Sequence, residues 1–455
     1  MTAAVGFAVA CLAASLTAPP VFDVRDFGAV GDGVTDDTPA FEAAISAVNH
    51  THQLSTPAQL PLPGLRATTD SVLAQVLVPG LASAGKRLIF LIRPISLTSR
   101  MELLIEDGAA IAGVADHAKW PLIPPVPSYG QGRDHPGLRY ASLLHGEKLH
   151  NVRIRGEGSG SVIDGRGDYW WARHHARTET HTRGHLIELM WSSDIEIANL
   201  TMRDSPFWNT HFFDCDRVHV RGVRILAPNS SPNTDGWDPD SSRNVLIEDS
   251  TYSGGDDCVA IKSGWDCHGV AYGVASQNIT VRNVSCEGRY AGIAIGSEIS
   301  GGVDGVLVEN VSFTKANGPA HIKTGASRGG FVTNVRFVNL TVADGAPLTE
   351  GILVDTNYGD VNPSCPKGWK PPQPTLMANY TFEHIDARKA RVQNSPFHFM
   401  GAAGADITGV RIRDVWLPAA HGHHNWSCTH VSGEVVKGTV APWPPCPEFR
   451  VVADE

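Results

Sequence analysis

The sequence predicts an all-β chain folded as a β-solenoid, with one short helix near the amino end that caps the stack. A four-residue phrase of alternating apolar and polar residues recurs along the chain, and from Arg217 to Asn334 its copies stand 27, 34, 27 and 29 residues apart. Gly, Asn and Asp flank the copies, as expected of turns between short strands. No stretch of this region has the 3.6-residue period that helical repeats require. The copies are NVRI at Asn151, DIEI at Asp194, RVHV at Arg217, NVLI at Asn244, NITV at Asn278, GVLV at Gly305, NVRF at Asn334 and GVRI at Gly409.

The composition is that of a turn-rich globular protein. Hydrophobic residues make up 42% of the 455 residues, charged residues only 18%, and there are 46 Gly and 30 Pro. The formal net charge of -10 argues against binding to nucleic acid or to an anionic membrane surface. An acidic polymer could bind only through local basic residues. We interpret residues 21–455 as one continuous solenoid domain.

The first twenty residues predict a secretion signal. Residues 1–20 are apolar and small, and no charged residue precedes Asp23. Two prolines and the short length argue against a membrane anchor. Seven cysteines remain once Cys11 is removed, so at least one thiol has no partner within the chain, and export favours disulfides for the others. Nine N-x-S/T sequons fit a glycosylated protein that is secreted to the extracellular space or the cell wall.

The predicted helix lies in the stretch DDTPAFEAAISAV. It has an N-cap candidate in Asp37 or Thr38, and Pro39 stands in the first turn, where proline is favoured. Residues 52–86 are rich in Pro, Leu, Ala and Ser without a clear period, and we interpret them as an irregular insertion.

The repeat brings distant acidic residues onto one face. In a solenoid, residues at the same phase of successive coils lie roughly 4.8 Å apart. Asp235, Asp256 and Lys323 lie 17, 11 and 17 residues after the second residue of their repeat phrases, in the later half of each coil. Four successive coils therefore place Asp235, the pair Asp256 and Asp257, the segment AGIAIGSE and the phrase HIK along one cleft. Three carboxylates brought together repel one another, which points to chemistry rather than to a structural role.

Eight motifs stand in order along the chain: VFDVRDFGAVGDGVTDDTPAF, WPLIPPVPSYGQGRD, SVIDGRGDYWW, SPFWNTHF, SPNTDGWDPDSS, SGGDDCVAIKSGWD, AGIAIGSEISGG and HIKT. With these motifs the sequence resembles the polygalacturonase family, glycoside hydrolase family 28, and most closely its plant-type and exo-acting members. The resemblance runs from about Phe22 to Phe449, and the motifs stand in the family's order. The resemblance implies a right-handed parallel β-helix and inverting hydrolysis of α-1,4-galacturonosyl bonds.

The resemblance also implies roles for single residues. Asp256 is the expected general acid, and Asp235 and Asp257 are expected to hold the attacking water. An inverting glycosidase separates its two carboxyl groups by roughly 6.5–9.5 Å to admit that water. Asn233, His321, Lys323 and Tyr358 are the expected substrate-binding residues. Disulfides are implied between Cys258 and Cys286 and between Cys428 and Cys446, and no metal or cofactor is expected.

The sequence departs from the family pattern at two places. Tyr290-Ala291-Gly292 replaces the usual GHG, and His321-Ile322-Lys323 replaces the usual RIK. Losing the arginine removes a permanent bidentate partner for carboxylates and leaves Lys323 as the permanent cation. We expect His321 to add affinity only below its pKa, near 6.5 for an ordinary histidine.

The expected partner is a pectic polysaccharide or oligogalacturonide, bound by a monomer. Exo action is expected because the insertion Trp265–Ala275 follows the catalytic pair and could wall off one end of the groove, and because Glu298 could repel a continuing uronate chain. The alternatives are hydrolysis of another pectic polymer, such as rhamnogalacturonan or xylogalacturonan, a calcium-dependent lyase on the same scaffold, and a non-catalytic carbohydrate-binding wall protein.

Overall fold

The computed structural model describes residues 19–54, 74–80, 85–326, 328–420 and 425–454. All but the last two residues of the predicted secretion signal lie outside the described part of the chain. The chain forms a right-handed parallel β-helix, as the sequence predicts. Three parallel sheets run along it, and we call them sheets A, B and C.

Sheet A contains the repeat phrase of each coil, and sheets B and C complete the coil. The strands of sheet A are Val21–Asp23, Ala74–Val78, Met101–Ile105, His150–Gly156, Ser193–Ala198, Asp216–Arg221, Arg243–Glu248, Ser276–Arg282, Val303–Lys315, Phe331–Val342, Leu376–Asp386, Ile407–Trp416, Val431–Val436 and Phe449–Val452. Those of sheet B are Asp32–Asp36, Leu88–Ile92, Ala109–Gly113, Val162–Asp164, Thr201–Arg203, Arg224–Leu226, Thr251–Gly254 and Ser285–Gly288, after which the long strands from Val303 onward continue both sheets, and Val440–Ala441 ends the stack.

Sheet C is formed by short strands. Its strands are Ile95–Ser96, Leu144–Glu147, Ile187–Met190, Thr210–Phe213, Trp237–Asp240, Val259–Ile261, Ala291–Ile295, Gly318–Lys323, Ile352–Asp355, Phe397–Met400 and Trp426–Thr429. Two small pairs lie outside the three sheets: Leu122–Ile123 with Arg139–Tyr140, and Pro347–Leu348 with Arg391–Val392.

The register of sheet A follows the repeat phrase. Val218 pairs with Val245, Val245 with Ile279, and Ile279 with Val306, so the second residues of successive phrases stack directly. All four side chains are at most 2% exposed and belong to the main hydrophobic core. Alternation along each strand points every second side chain inward, so each coil adds one apolar layer.

The first residue of each phrase is a turn residue with left-handed backbone. Asn244 has φ 56°, Asn278 φ 54° and Gly305 φ 70°. Asparagine and glycine tolerate this conformation better than other residues, which explains why they recur there. The asparagines also stack, since Asn278 Nδ2 donates to Asn244 Oδ1 at 2.7 Å and Asn244 Nδ2 donates to Asp216 Oδ1 at 2.7 Å.

Helix α1, Thr38–Leu54, is the predicted capping helix. Its buried residues Phe41, Ala44 and Val48 join the main core at the amino end of the stack. Asp37 does not cap it through its side chain; the Asp37 carboxylate accepts from the backbone N–H groups of Val30 and Gly31 instead.

Two expectations about irregular and helical segments are wrong in part. Residues 52–86 were expected to be irregular, but Ala74–Val78 is a core strand of sheet A, because its alternating apolar residues are buried between neighbouring strands. Two further helices also occur, α2 at Gly167–His175 and α3 at Asp266–Tyr272. Both are too short for helical periodicity to be visible in the sequence.

The described part of the chain contains three disulfides. Cys258–Cys286 and Cys428–Cys446 form as the resemblance implied, and Cys267–Cys365 is a third. Cys215 is buried and unpaired, as the odd count required. Within the described ranges, no helix is long and apolar enough to cross a membrane.

Candidate active site

The predicted site residues come from strands of sheet C and the turns beside them. Asp235 precedes the strand Trp237–Asp240, and Asp256 and Asp257 precede Val259–Ile261. Lys323 ends the strand Gly318–Lys323, and Tyr358 follows the strand Ile352–Asp355. The strand Ala291–Ile295 lies between the second and third of these strands, and the long side chain of Lys323 reaches back to Asp257, so one groove collects the residues as the one-coil spacing predicted.

The groove is a cavity of about 410 Å³. Six of the seven predicted residues line it, and His321 does not. The lining residues are Arg133, Asp134, Phe207, Trp208, Asn233, Asp235, Asp256, Asp257, Lys262, Tyr290, Gly296, Ser297, Glu298, Lys323, Tyr358, Gly359 and Asp360.

Three carboxyl groups meet at the floor of the cavity. Asp235, Asp256 and Asp257 each contribute one oxygen to a group whose members lie within 4.8 Å of one another. This separation is shorter than the roughly 6.5–9.5 Å expected for an inverting pair. The 4.8 Å limit applies to the nearest oxygens: Asp256 and Asp257 are consecutive residues, and Asp235 stands one coil away from them.

The three carboxyl groups differ in their partners. Asp257 acts as an acceptor on both oxygens, from the backbone N–H of Ala291 at 2.8 Å and from Lys323 Nζ at 2.7 Å. Asp235 is 4% exposed, and its Oδ1 has no hydrogen-bond partner among the described residues. Both Asp257 oxygens therefore have donors, whereas Asp235 lines the cavity and keeps one buried oxygen without a partner.

Burial and mutual repulsion raise two of the three pKa values. Burial, and then the charges of Asp235 and Asp257, raise the pKa of Asp256 well above the ordinary range. Burial and Asp257 raise the pKa of Asp235 to about 7, against the opposing effect of Lys262. A buried carboxyl group that stays protonated near neutral pH can donate a proton to a leaving oxygen.

Lys323 is a cation on the carboxyl-terminal side of the three carboxyl groups. Its Nζ lies 5.3 Å from the centre of the Tyr358 ring, besides its contact with Asp257. His321 differs from expectation. It is 5% exposed, and burial together with Lys323 lowers its pKa to about 3, so it is neutral at the pH values where it was expected to bind uronates.

Asn233 is positioned by an arginine that the sequence analysis did not identify. Arg183 is fully buried and donates to Asn233 Oδ1 at 2.7 Å and to Asp134 Oδ2 at 2.8 Å. The same guanidinium donates to the backbone carbonyls of Pro206 and Pro232. With its oxygen engaged, Asn233 presents its amide N–H groups to the cavity.

A second lysine, Lys262, also lines the cavity and belongs to the same coil as Asp256 and Asp257. Its Nζ is 3.6 Å from Asp238 Oδ1, 3.5 Å from Glu298 Oε2 and 4.6 Å from the centre of the Trp208 ring. Although burial opposes it, Glu298 and Asp238 raise the pKa of Lys262, so the ammonium stays charged. The motif GDDCVAIKSG contains this lysine, but its reach into the cavity is visible only in the structure.

An ion-pair bridge lies among the residues that line the cavity. Arg133 Nε donates to Glu298 Oε1 at 2.7 Å, and the Arg133 guanidinium also reaches Asp360 at 3.2 Å. Arg133 stacks over the Trp265 ring at 4.4 Å. The bridge thus joins the segment before Asp134 to the loop after Tyr358, across the groove.

This arrangement corrects two expectations on which exo action was based. Glu298 does not present a free repulsive charge. Although burial opposes it, Arg133 and Lys262 hold the pKa of Glu298 well below the ordinary range, and their positive charges balance the charge of its carboxylate. The insertion Trp265–Ala275 forms α3, which does not line the cavity. It supports the loop after Tyr358 from behind, through Cys267–Cys365 and through Asp266, whose carboxylate accepts from the backbone N–H of Asn362 at 2.7 Å.

A buried group of metal-binding residue types lies outside the cavity floor. His185, Glu188 and His211 come within 4.8 Å of one another. However, both Glu188 oxygens accept from Arg139 Nη1, at 2.7 and 2.8 Å, and Oε1 also contacts His211 Nδ1 at 2.8 Å. A guanidinium in the place of a cation makes this cluster a closed ion-pair network.

Comparisons with known proteins identify the family of the chain. The family model "Glycosyl hydrolases family 28" matches residues 133–439. The "Probable polygalacturonase" of Vitis vinifera is 37% identical over 424 residues, which is 92% of this chain and 78% of the relative. The chain belongs to glycosyl hydrolase family 28.

As a family 28 member, the protein is a pectin-degrading glycosyl hydrolase. A second model, "Rhamnogalacturonase A/epimerase, pectate lyase-like", matches residues 21–64. Among solved structures, an exopolygalacturonase from Thermotoga maritima aligns with a TM-score of 0.68 at 20% identity, covering 96% of this chain and 92% of the other. The family 28 exopolygalacturonase of Yersinia enterocolitica aligns with a TM-score of 0.71 at 19% identity, covering 96% and 78%. At these identities the structures support the fold.

Proposed function

We propose that this family 28 hydrolase removes single galacturonosyl residues from the non-reducing end of α-1,4-linked polygalacturonate or its oligomers, with inversion. The substrate class follows the names of its polygalacturonase relatives. The observation that supports exo action is the ion-pair bridge from Arg133 to Glu298 and Asp360 in the cavity lining, and we propose that this bridge closes one end of the groove to an internal stretch of polymer.

The roles of the three carboxyl groups follow from their environments. Asp256, with its raised pKa, donates a proton to the glycosidic oxygen. Asp257, which accepts from Lys323 and Ala291, and Asp235, which lines the same cavity, hold the attacking water. Asn233, Lys323 and Tyr358 bind the sugars around the scissile bond. His321 is buried and neutral, so it adds no positive charge to the site.

The exo proposal is tested by following viscosity against reducing ends during digestion of polygalacturonate. We expect galacturonate monomer as the main early product and a slow fall in viscosity. A steep viscosity drop at low bond cleavage would mean internal cutting. Proton NMR of the first product distinguishes inversion, which releases the β-anomer from an α-linkage, from retention.

We also propose that the enzyme is secreted and acts as a monomer outside the cell or in the cell wall. Three disulfides support an oxidising compartment. Expression with residues 1–20 intact should deliver active protein to the medium, and light scattering should give the mass of one chain, which before any glycosylation is below the 48.7 kDa of the full sequence because residues 1–20 are removed.

A further inference from the structure

Arg183 uses its hydrogen-bond donors within the protein, directly beside the cavity. It is 1% exposed. Its guanidinium makes five hydrogen bonds, at 2.7 to 3.2 Å, which equals the number of its N–H groups. The acceptors are Asp134 Oδ2, which accepts from two nitrogens, Asn233 Oδ1 and the backbone carbonyls of Pro206 and Pro232. Arg183 is not one of the described residues that line the cavity, so its role is not to bind a substrate directly.

The contacts of Arg183 reach three separate segments of the cavity lining. Asp134 and Asn233 line the cavity, and so does Phe207, whose ring centre lies 4.7 Å from the guanidinium. Phe207 and Asn233 stand in the turns that lead from sheet B to sheet C in two successive coils, and Asp134 stands in a loop earlier in the chain. One buried guanidinium therefore connects three parts of the lining that only folding brings together.

The turn that carries Asp235 is held from two sides, and Arg183 is on one of them. Asn233 has left-handed backbone, with φ 56°, and Arg183 donates both to its side-chain oxygen and to the carbonyl of the residue before it. On the other side, Asn209 Nδ2 donates to the backbone carbonyls of Thr234 and Asp235, at 3.3 and 2.9 Å. The Asp235 carboxyl group keeps an oxygen without a hydrogen-bond partner among the described residues, so its position depends on this backbone.

We propose that Arg183 is a positioning residue, which holds Asn233 and the turn of Asp235 in the orientation that hydrolysis requires. This inference rests on the proposed function, in which Asn233 binds a sugar and Asp235 helps to hold the attacking water. The planar fork of the guanidinium carries this role rather than its positive charge, because a lysine ammonium has three donors and cannot reach the same set of acceptors.

The first test is Arg183→Lys, which keeps a positive charge beside Asp134 and loses the planar fork. We expect kcat on polygalacturonate to fall about 10-fold or more, because a small misplacement of groups around the reacting atoms is costly. Circular dichroism should show an unchanged fold. A lysine variant with wild-type kcat and KM would overturn the inference.

The second test is chemical rescue of Arg183→Ala, which removes the guanidinium. Guanidinium ion at a low, non-denaturing concentration should restore part of the lost kcat, and methylammonium ion should not. A variant that was only less stable would lose further activity in guanidinium, because this ion is a denaturant. Asn233→Ala should also lose activity, and guanidinium should not restore it. A folded Arg183→Ala enzyme that guanidinium does not restore would contradict the positioning role, and the lysine variant decides if the alanine variant fails to fold.

Arg139→Ala is the matched control, since Arg139 is 4% exposed and donates to both oxygens of Glu188, outside the cavity. Its loss should lower stability and leave kcat of the folded enzyme near the wild-type value. An equal fall in kcat for Arg139→Ala would mean that the loss of any buried arginine has this effect, which would overturn the inference. Failure of the wild-type enzyme to cleave polygalacturonate would instead reject the proposed function.

Discussion

At the residue scale, the proposed mechanism depends on the raised pKa of Asp256, which keeps this carboxyl group protonated. Asp256→Asn should leave the fold unchanged and lower kcat by on the order of 10²-fold or more, because an amide cannot donate the proton that assists departure of the leaving oxygen. Steady-state kinetics on oligogalacturonate and circular dichroism check both parts. The control is Asp249→Asn, an exposed carboxylate outside the cavity that accepts from Asn283. A folded Asp256→Asn enzyme with wild-type turnover would reject the assignment.

The raised pKa of Asp235 also predicts how stability depends on pH. Folding raises this pKa from about 3.9 in an unfolded chain to about 7. The folded state therefore binds the proton more tightly, and the free energy of unfolding falls as pH rises from about 4 to about 7. Asp235→Asn removes this loss, so the variant should be more stable than wild type at pH 8 by on the order of 2 kcal/mol, and nearly equal to it at pH 4. Urea unfolding at the two pH values measures the difference. A variant that is less stable at pH 8 would contradict the raised pKa.

The sequence predicted the residues of the site that share the solenoid phase, and it missed those that do not. Asp235, Asp256 and Lys323 follow from the one-coil spacing. Arg133 comes from a loop far from the repeats, and only the folded chain brings it to Glu298. The neutral state of His321 was also beyond the sequence, because it depends on burial by neighbours rather than on residue type.

At the scale of elements, the left-handed turn before each strand of sheet A limits which residues can stand there. Asn244→Ala places a β-carbon in that conformation and removes two side-chain hydrogen bonds of the stack. Asn244→Gly removes the same bonds without the conformational cost. We expect the alanine variant to be less stable than the glycine variant by about 1 kcal/mol, measured by urea unfolding. Equal stability of the two variants would mean that the turn relaxes to another conformation.

The bridge from Arg133 to Glu298 and Asp360 predicts a variant with a more open groove. Arg133→Ala removes the contacts to Glu298 and Asp360, so longer products should appear early in digestion of polygalacturonate and viscosity should fall faster per bond cut. Arg155→Ala is a matched control, since Arg155 pairs with Glu102 on sheet A at the same 2.7 Å, away from the cavity. An unchanged product pattern for Arg133→Ala would show that another feature closes the groove.

At the scale of the whole molecule, the repeat phrase made the fold predictable. The second residues of successive phrases do stack, because only inward apolar side chains in register can fill a continuous core. The strand Ala74–Val78 was not predicted, because it is short and lies in an otherwise aperiodic stretch with no neighbouring copy of the phrase. Helices α2 and α3 were not predicted, because each is too short for a helical period to be visible in the sequence.

The disulfide Cys267–Cys365 closes a covalent ring of the chain that includes Lys323 and Tyr358 and spans 98 residues. A protease that cuts once inside this ring, for example in the exposed segment near Val361, cannot release a fragment. On a denaturing gel such a cut chain should migrate as one full-length species until it is reduced, and then separate into two. The coils on either side of a single cut also remain paired in the three sheets, so the cleaved enzyme should retain its fold. The segment that bears Lys323 and Tyr358 is therefore protected against loss by a single cut.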